Sequence, residues 1–129
     1  MNEKKKKIKT SSAKSKGRNC QKWVAEKISK LLDIPFGKDE QIAPREMGQS
    51  GVDIRLVADA KERFPWSVEC KWQETWSLSK FIQQAKENQM HGTDWLLILK
   101  KNRHDYIAVL DAEIFFDILD KLNSYKKGR

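Results

Sequence analysis

The run Trp95-Leu96-Leu97-Ile98-Leu99 limits the chain most, because five consecutive apolar residues leave no polar face for water. A strand of that kind is buried on both sides, which demands a sheet covered by helices rather than an open hairpin. The rest of the pattern supplies the cover. Val24, Ile28, Leu31 and Leu32 recur at helical spacing from about residue 17 to 32, with Lys22, Glu26 and Lys30 opposite them, and Pro35 and Gly37 end that helix. Residues 41–44 suit a short strand, the glycine-rich Met47-Gly48-Gln49-Ser50-Gly51 a tight turn, and residues 52–57 an alternating strand. Residues 59–63 suit a hairpin connection into Trp66-Ser67-Val68-Glu69-Cys70-Lys71-Trp72, which alternates with Trp66, Val68, Cys70 and Trp72 on one face.

A second helix is expected from Ser77, as N-cap, to about Asn88, followed by the buried strand, a polar turn over residues 101–105 and a strand over 106–110. Asp111 can cap a last helix, in which Ile114, Phe115, Ile118, Leu119 and Leu122 make one apolar stripe. This order predicts an α/β fold with a small mixed central β-sheet flanked by helices.

Charge divides the 129 residues into two parts: residues 1–15 as a basic, disordered tail and residues 16–129 as a single domain. Lys4, Lys5, Lys6, Lys7, Lys9, Lys14, Lys16 and Arg18 face only Glu3, so most of the formal net charge of +8 belongs to this end. Such a tail attracts polyanions by releasing their condensed counterions, and Lys4, Lys5, Lys6, Lys7, Lys14, Lys16 and Arg18 are the candidate nucleic-acid contacts. A solubilising or targeting role is the simpler alternative. No apolar run reaches the roughly 20 residues of a membrane span, and no apolar segment follows the basic start as in a secretory signal. Two cysteines, Cys20 and Cys70, are too few for a disulfide scaffold and read as small buried packing residues in a reduced, cytoplasmic protein. His91 and His104 have no second ligand at metal spacing, which argues against a histidine-metal or zinc site.

Chemistry concentrates on the polar face of the strand over residues 66–72. Side chains two apart point the same way, so Glu69 and Lys71 share a face, with Gln73 next along. Glu-x-Lys on a strand is ordinary solvated surface in most proteins. Asp53, directly after the glycine-rich turn, changes the reading, because a hairpin would bring it near Glu69. Two carboxylates so placed repel each other unless a cation lies between them. Such a pair, completed by waters and a phosphate oxygen, suits Mg²⁺ (or Mn²⁺), and a neighbouring lysine can orient a water or offset charge on a phosphate. Phosphodiester hydrolysis fits this set best.

Ser50-Gly51-Val52-Asp53-Ile54 followed by Val68-Glu69-Cys70-Lys71 resembles the signature of the PD-(D/E)XK nuclease superfamily. The element order resembles that family's restriction-endonuclease-like αβββαβ core, with a C-terminal helix added. Lys16-Gly17-Arg18-Asn19-Cys20-Gln21 is similar to the start of archaeal-type Holliday junction resolvases and phage relatives. The resemblance implies that Asp53 and Glu69 hold metal, that Lys71 assists the nucleophile, and that a helix acid stands near Gln21. Here that position is an amide, a poorer ligand, and Val52 replaces the usual proline. It also implies a homodimer.

Ser50 is a candidate phosphate contact or a plain turn residue, and Gln84 and Lys80 are candidates to face the site from the second helix. Trp72 and Trp76 suit base stacking or the core. The leading reading is a metal-dependent DNA endonuclease acting on branched DNA such as a Holliday junction. The alternatives are a non-catalytic nucleic-acid-binding module on the same fold and an accessory protein whose tail binds nucleic acid non-specifically.

Overall fold

The computed structural model describes the backbone of residues 2–46 and 48–128, and side chains from residue 12 onward over the same span. A long helix, α1 (Asn2–Leu32), opens the chain. It begins well before residue 17, since neither glycine nor proline interrupts residues 2–16. Its buried residues Cys20, Val24, Ala25, Ile28 and Leu32 recur at helical spacing and form one wall of the core, while Leu31, expected on the same stripe, is exposed.

Strands β1 (Ile42–Pro44) and β2 (Ile54–Leu56) form an antiparallel pair, with Ile42 opposite Leu56 and Pro44 opposite Ile54. The expected hairpin between the second and third strands is absent: the short helix α2 (Ala58–Arg63) occupies the connection. The sequence Ala-Asp-Ala-Lys-Glu-Arg contains good helix formers, and Gln41 Oε1 accepts from the Ala60 backbone N–H at 3.0 Å. Strand β3 (Trp66–Trp72) instead pairs in parallel with β4 (Asp94–Lys100), the crossover being helix α3 (Leu78–Glu87). Strand β5 (Ile107–Val109) adds antiparallel to β4, giving the order β3-β4-β5.

The fold is therefore α/β, with a small mixed three-stranded sheet, a separate two-stranded one, and helices around them. The two sheets meet where the Asp53 N–H donates to the Val68 carbonyl at 3.0 Å. The central strand β4 behaves as its composition demands: Leu97 and Leu99 are buried beside Phe81 and Ala85 of α3, and Ile98 is buried in the α1 core. Helix α4 (Ala112–Lys127) starts at its expected cap, with Asp111 Oδ1 accepting from Glu113 N and Ile114 N at 2.9 and 3.3 Å. Ser77 precedes α3 as expected but makes no side-chain cap bond. Among the described residues no helix is long and apolar enough to cross a membrane.

Candidate active site

Asp53 lies in the extended segment just before β2, and its position is over-determined. Its N–H is tied to β3, its carbonyl accepts from Arg45 N at 2.8 Å, and its Oδ2 accepts from the Cys70 N–H at 2.7 Å. The strand pairing of β1 with β2 carries on one step to set Arg45 opposite Asp53, where Arg45 Nη2 lies 3.1 Å from Oδ1. Arg45 Nη1 also donates to the Gly51 carbonyl at 2.9 Å, which fastens the glycine turn to the same cation. Gly51 has φ +103°, a conformation that a side chain disfavours.

Glu69 projects from β3 toward α3, on the face opposite Val68 and Cys70. Its Oε1 lies 3.7 Å from Lys71 Nζ, and its Oε2 accepts from Asn88 Nδ2 at 3.3 Å. Lys71 is held in turn over the Phe81 ring, 5.5 Å from its centroid. The carboxylates of Asp53 and Glu69 are each only 3% exposed, so the polar face of β3 is a buried one rather than solvated surface.

Burial pushes the Asp53 carboxyl above its ordinary value, opposed by the Cys70 N–H, Arg45, Lys71 and a hydrogen bond from the Gln21 side chain. Burial raises Glu69 as well, and the Asp53 charge raises it further, against Asn88, Lys71 and Arg45. The two groups therefore feel each other electrostatically. Gln21 of α1 reaches Asp53 with its side chain.

The remaining candidates divide. Ser50 is exposed and lines a cleft of about 880 Å³ together with Lys38, Arg45, Gly51, Arg55 and Asn88. Because Arg45 and Asn88 bond Asp53 and Glu69, this cleft abuts the carboxylate pair. Lys14 and Arg18 line a smaller cleft of about 200 Å³ with Gln21 and Arg45, so this stretch of α1 borders the same place. Lys16 is half-buried on that helix; the side chains of Lys4, Lys5, Lys6 and Lys7 lie outside the described residues. Gln73 is exposed beyond the end of β3, and its backbone N–H bonds the Lys100 carbonyl at 3.0 Å. Neither Gln84 nor Lys80 gives the carboxylates a hydrogen bond or ion pair; α3 reaches Glu69 through Asn88 at its C-cap. Trp72 donates to Asn102 Oδ1 at 3.0 Å and packs edge-on to Tyr106, and Trp76 donates to the Gln73 carbonyl at 2.9 Å. Cys20 and Cys70 are buried and free, and the Cys70 thiol is pushed well up by its hydrogen bond with Cys20 and by burial.

Arg45 and Asn88 were not singled out in the sequence. The register of residues 41–44 against the strand after Asp53 would have pointed to Arg45; a C-cap asparagine carries no comparable signal.

Among the described residues no three of His, Cys, Asp and Glu converge on one point. The donor set is the pair itself. Two carboxylates meet what Mg²⁺ asks of a protein, since it retains waters and takes phosphate oxygens for its other positions. Two buried carboxyls, one raised by the charge of the other, are also a place where a cation relieves repulsion, although Arg45 already takes part of that role at Asp53.

An acid just ahead of β2, in the two-stranded sheet, and Glu-x-Lys on β3, in the mixed sheet, match the motif order of one class, the PD-(D/E)XK nucleases. The chain belongs to the phage family described as "Phage putative PDDEXK endonuclease", whose model matches residues 12–128. No curated protein and no solved structure matches it.

Proposed function

We propose that the protein is a divalent-metal-dependent endodeoxyribonuclease in which Asp53 and Glu69 hold the ion and Lys71 serves the attacking water. The observation that carries this reading is the convergence of two buried carboxylates from separate sheets beside a lysine that is 17% exposed and 3.7 Å from one of them. When bound, Mg²⁺ or Mn²⁺ supplies Lewis acidity and a lowered pKa for a coordinated water. The chain's own residues set the stage. Cys70 N–H and Arg45 fix the Asp53 carboxylate, Asn88 fixes that of Glu69, and Phe81 holds the Lys71 ammonium in place. Lys71 orients the water for in-line attack and offsets charge that builds on the phosphate. Gly51 and Ser50 let a phosphate backbone approach, and in the lining of the neighbouring cleft Lys38, Arg45 and Arg55 outnumber Asp39 and Glu46. Branched DNA, such as a four-way junction, is the substrate suggested by the resemblance at residues 16–21, and the basic arm of residues 1–15 adds sequence-independent grip.

The test is cleavage of a labelled four-way junction, flap, linear duplex and single strand with Mg²⁺, Mn²⁺ or EDTA. Metal-dependent cutting that falls by at least about 100-fold in Lys71→Ala supports the reading. Symmetric nicks in the junction alone identify a resolvase. Binding to the panel without cutting, under either metal, overturns it in favour of a non-catalytic module, for which the Gln21 amide and the Arg45–Asp53 ion pair are the structural grounds.

A further inference from the structure

In helix α4 sequence and surroundings disagree. Its apolar stripe was laid down for a core, yet none of its 16 residues is buried. Phe115, Ile118, Leu119 and Leu122 are between 40% and 47% exposed, and Phe116 beside them is 67% exposed. A helix of this length is marginal in water by itself, so most of its stability has to come from packing of that stripe. The domain provides little of it.

The charges on α4 indicate what covers the stripe. The cap Asp111 and then Glu113, Asp117 and Asp120 lead with no basic residue among them, and from Lys121 to the helix end Lys121, Lys126 and Lys127 stand with no acidic one. Laid antiparallel on a copy of itself, the helix sets acidic half against basic half in both directions, and its macrodipoles oppose favourably. A parallel alignment would set like on like. About a two-fold axis near Leu119, Phe115 meets the stripe at Leu122 of the second copy, and the contact is self-complementary, so it closes as a dimer without leading to open chains.

We propose that α4 is the dimerisation element of this protein, pairing antiparallel with α4 of a second copy. The proposal stands apart from the nuclease reading, because no residue of the Asp53–Glu69–Lys71 site lies on α4. A single helix face offers less than the roughly 800 Å² per partner of a standard interface, so self-association over the micromolar range is expected.

The test is sedimentation velocity on the full chain, freed of nucleic acid, from about 1 to 100 μM. The wild type is expected to pass from monomer to dimer, and Ile118→Asp with Leu122→Asp to stay monomeric. Because those changes can also unwind α4, two charge variants at exposed positions complete the test. Lys121→Glu with Lys126→Glu leaves Lys127 as the one basic residue of α4, and Asp117→Lys with Asp120→Lys makes its middle basic. Each alone should weaken the dimer by about tenfold or more, and an equimolar mixture should recover it as a heterodimer. A wild type that is monomeric throughout overturns the proposal and leaves the stripe to a different protein partner. A dimer unmoved by every variant overturns it in favour of another surface.

Discussion

At the scale of single residues, the two buried carboxyls of the candidate site cost stability. Asp53 and Glu69 are charged groups that burial disfavours, and their pKa values are raised above those of the unfolded chain. A carboxyl with a raised folded pKa binds its proton more tightly when folded, so the metal-free protein loses stability as pH climbs from the ordinary carboxylate range through the raised values. Glu69→Gln removes the part of that loss that belongs to Glu69. The variant should melt above the wild type at pH 7.5 without metal, with the gain shrinking toward pH 4, where the wild-type acid is protonated in both states. A gain on the order of 1 kcal/mol corresponds to about 4 °C for a chain of this size. Millimolar Mg²⁺ should raise the melting temperature of the wild type and leave that of the variant nearly unchanged. Arg45 gives the opposite sign. Its guanidinium lies against a buried Asp53 and lowers that group's pKa, so Arg45→Met strands the charge. A loss of about 1–3 kcal/mol is expected near pH 8, falling toward pH 4 as Asp53 takes up a proton; urea unfolding at the two pH values reads it. An equal loss at both would mean that Arg45 acts by packing alone.

At the scale of elements, the turn before β2 is the part of the site most open to a clean backbone test. Gly51 has φ +103°, and nothing lies within 4 Å of where a Cβ would stand, so Gly51→Ala meets strain without a clash. A cost of about 1–2 kcal/mol follows from forcing an L side chain there, together with weaker catalysis because the Gly51 carbonyl that Arg45 grips would shift. The elements also show what the sequence could and could not reveal. Periodicity found α3, β4, β5 and α4 closely, since each is an amphipathic or wholly apolar run with a turn on either side. It misread residues 59–63, because a six-residue helix is too short to show a helical period. Asp53 was placed near the strand of Glu69 for a reason that fails: the two segments are not a hairpin. They are neighbours because Asp53 bonds Val68 and Cys70 across the gap between the sheets. That contact belongs to tertiary structure, and no local pattern encodes it. Gln21 was legible only through the resemblance, which sets a site residue near that position of the first helix, whereas Asn88 depends on where α3 stops relative to β3.

At the scale of the whole molecule, charge and chemistry are separated along the chain, and the separation can be measured. The catalytic candidates lie between residues 53 and 71, whereas residues 1–15 contain six lysines and one glutamate. Lys14 and Arg18 border the cleft beside Arg45, so α1 leads from the basic arm to the carboxylate pair. An arm of this kind contributes affinity through counterion release, with a slope of log K against log salt of about −0.9 per phosphate neutralised on duplex DNA. Deleting residues 1–15 should therefore flatten the slope by as much as about 5 if all six lysines engage phosphates, and by less if the arm binds only in part. The cleavage rate at saturating DNA and low salt should change little, because the groups proposed to act on the scissile phosphate are untouched. Lys71→Ala should show the reverse, a full salt slope with the chemical step lost. The two variants together separate grip from chemistry. If deletion of the arm instead removed cleavage at saturation while leaving the slope intact, the arm would have to be part of the active site, and the division of labour drawn from the charge distribution would be wrong.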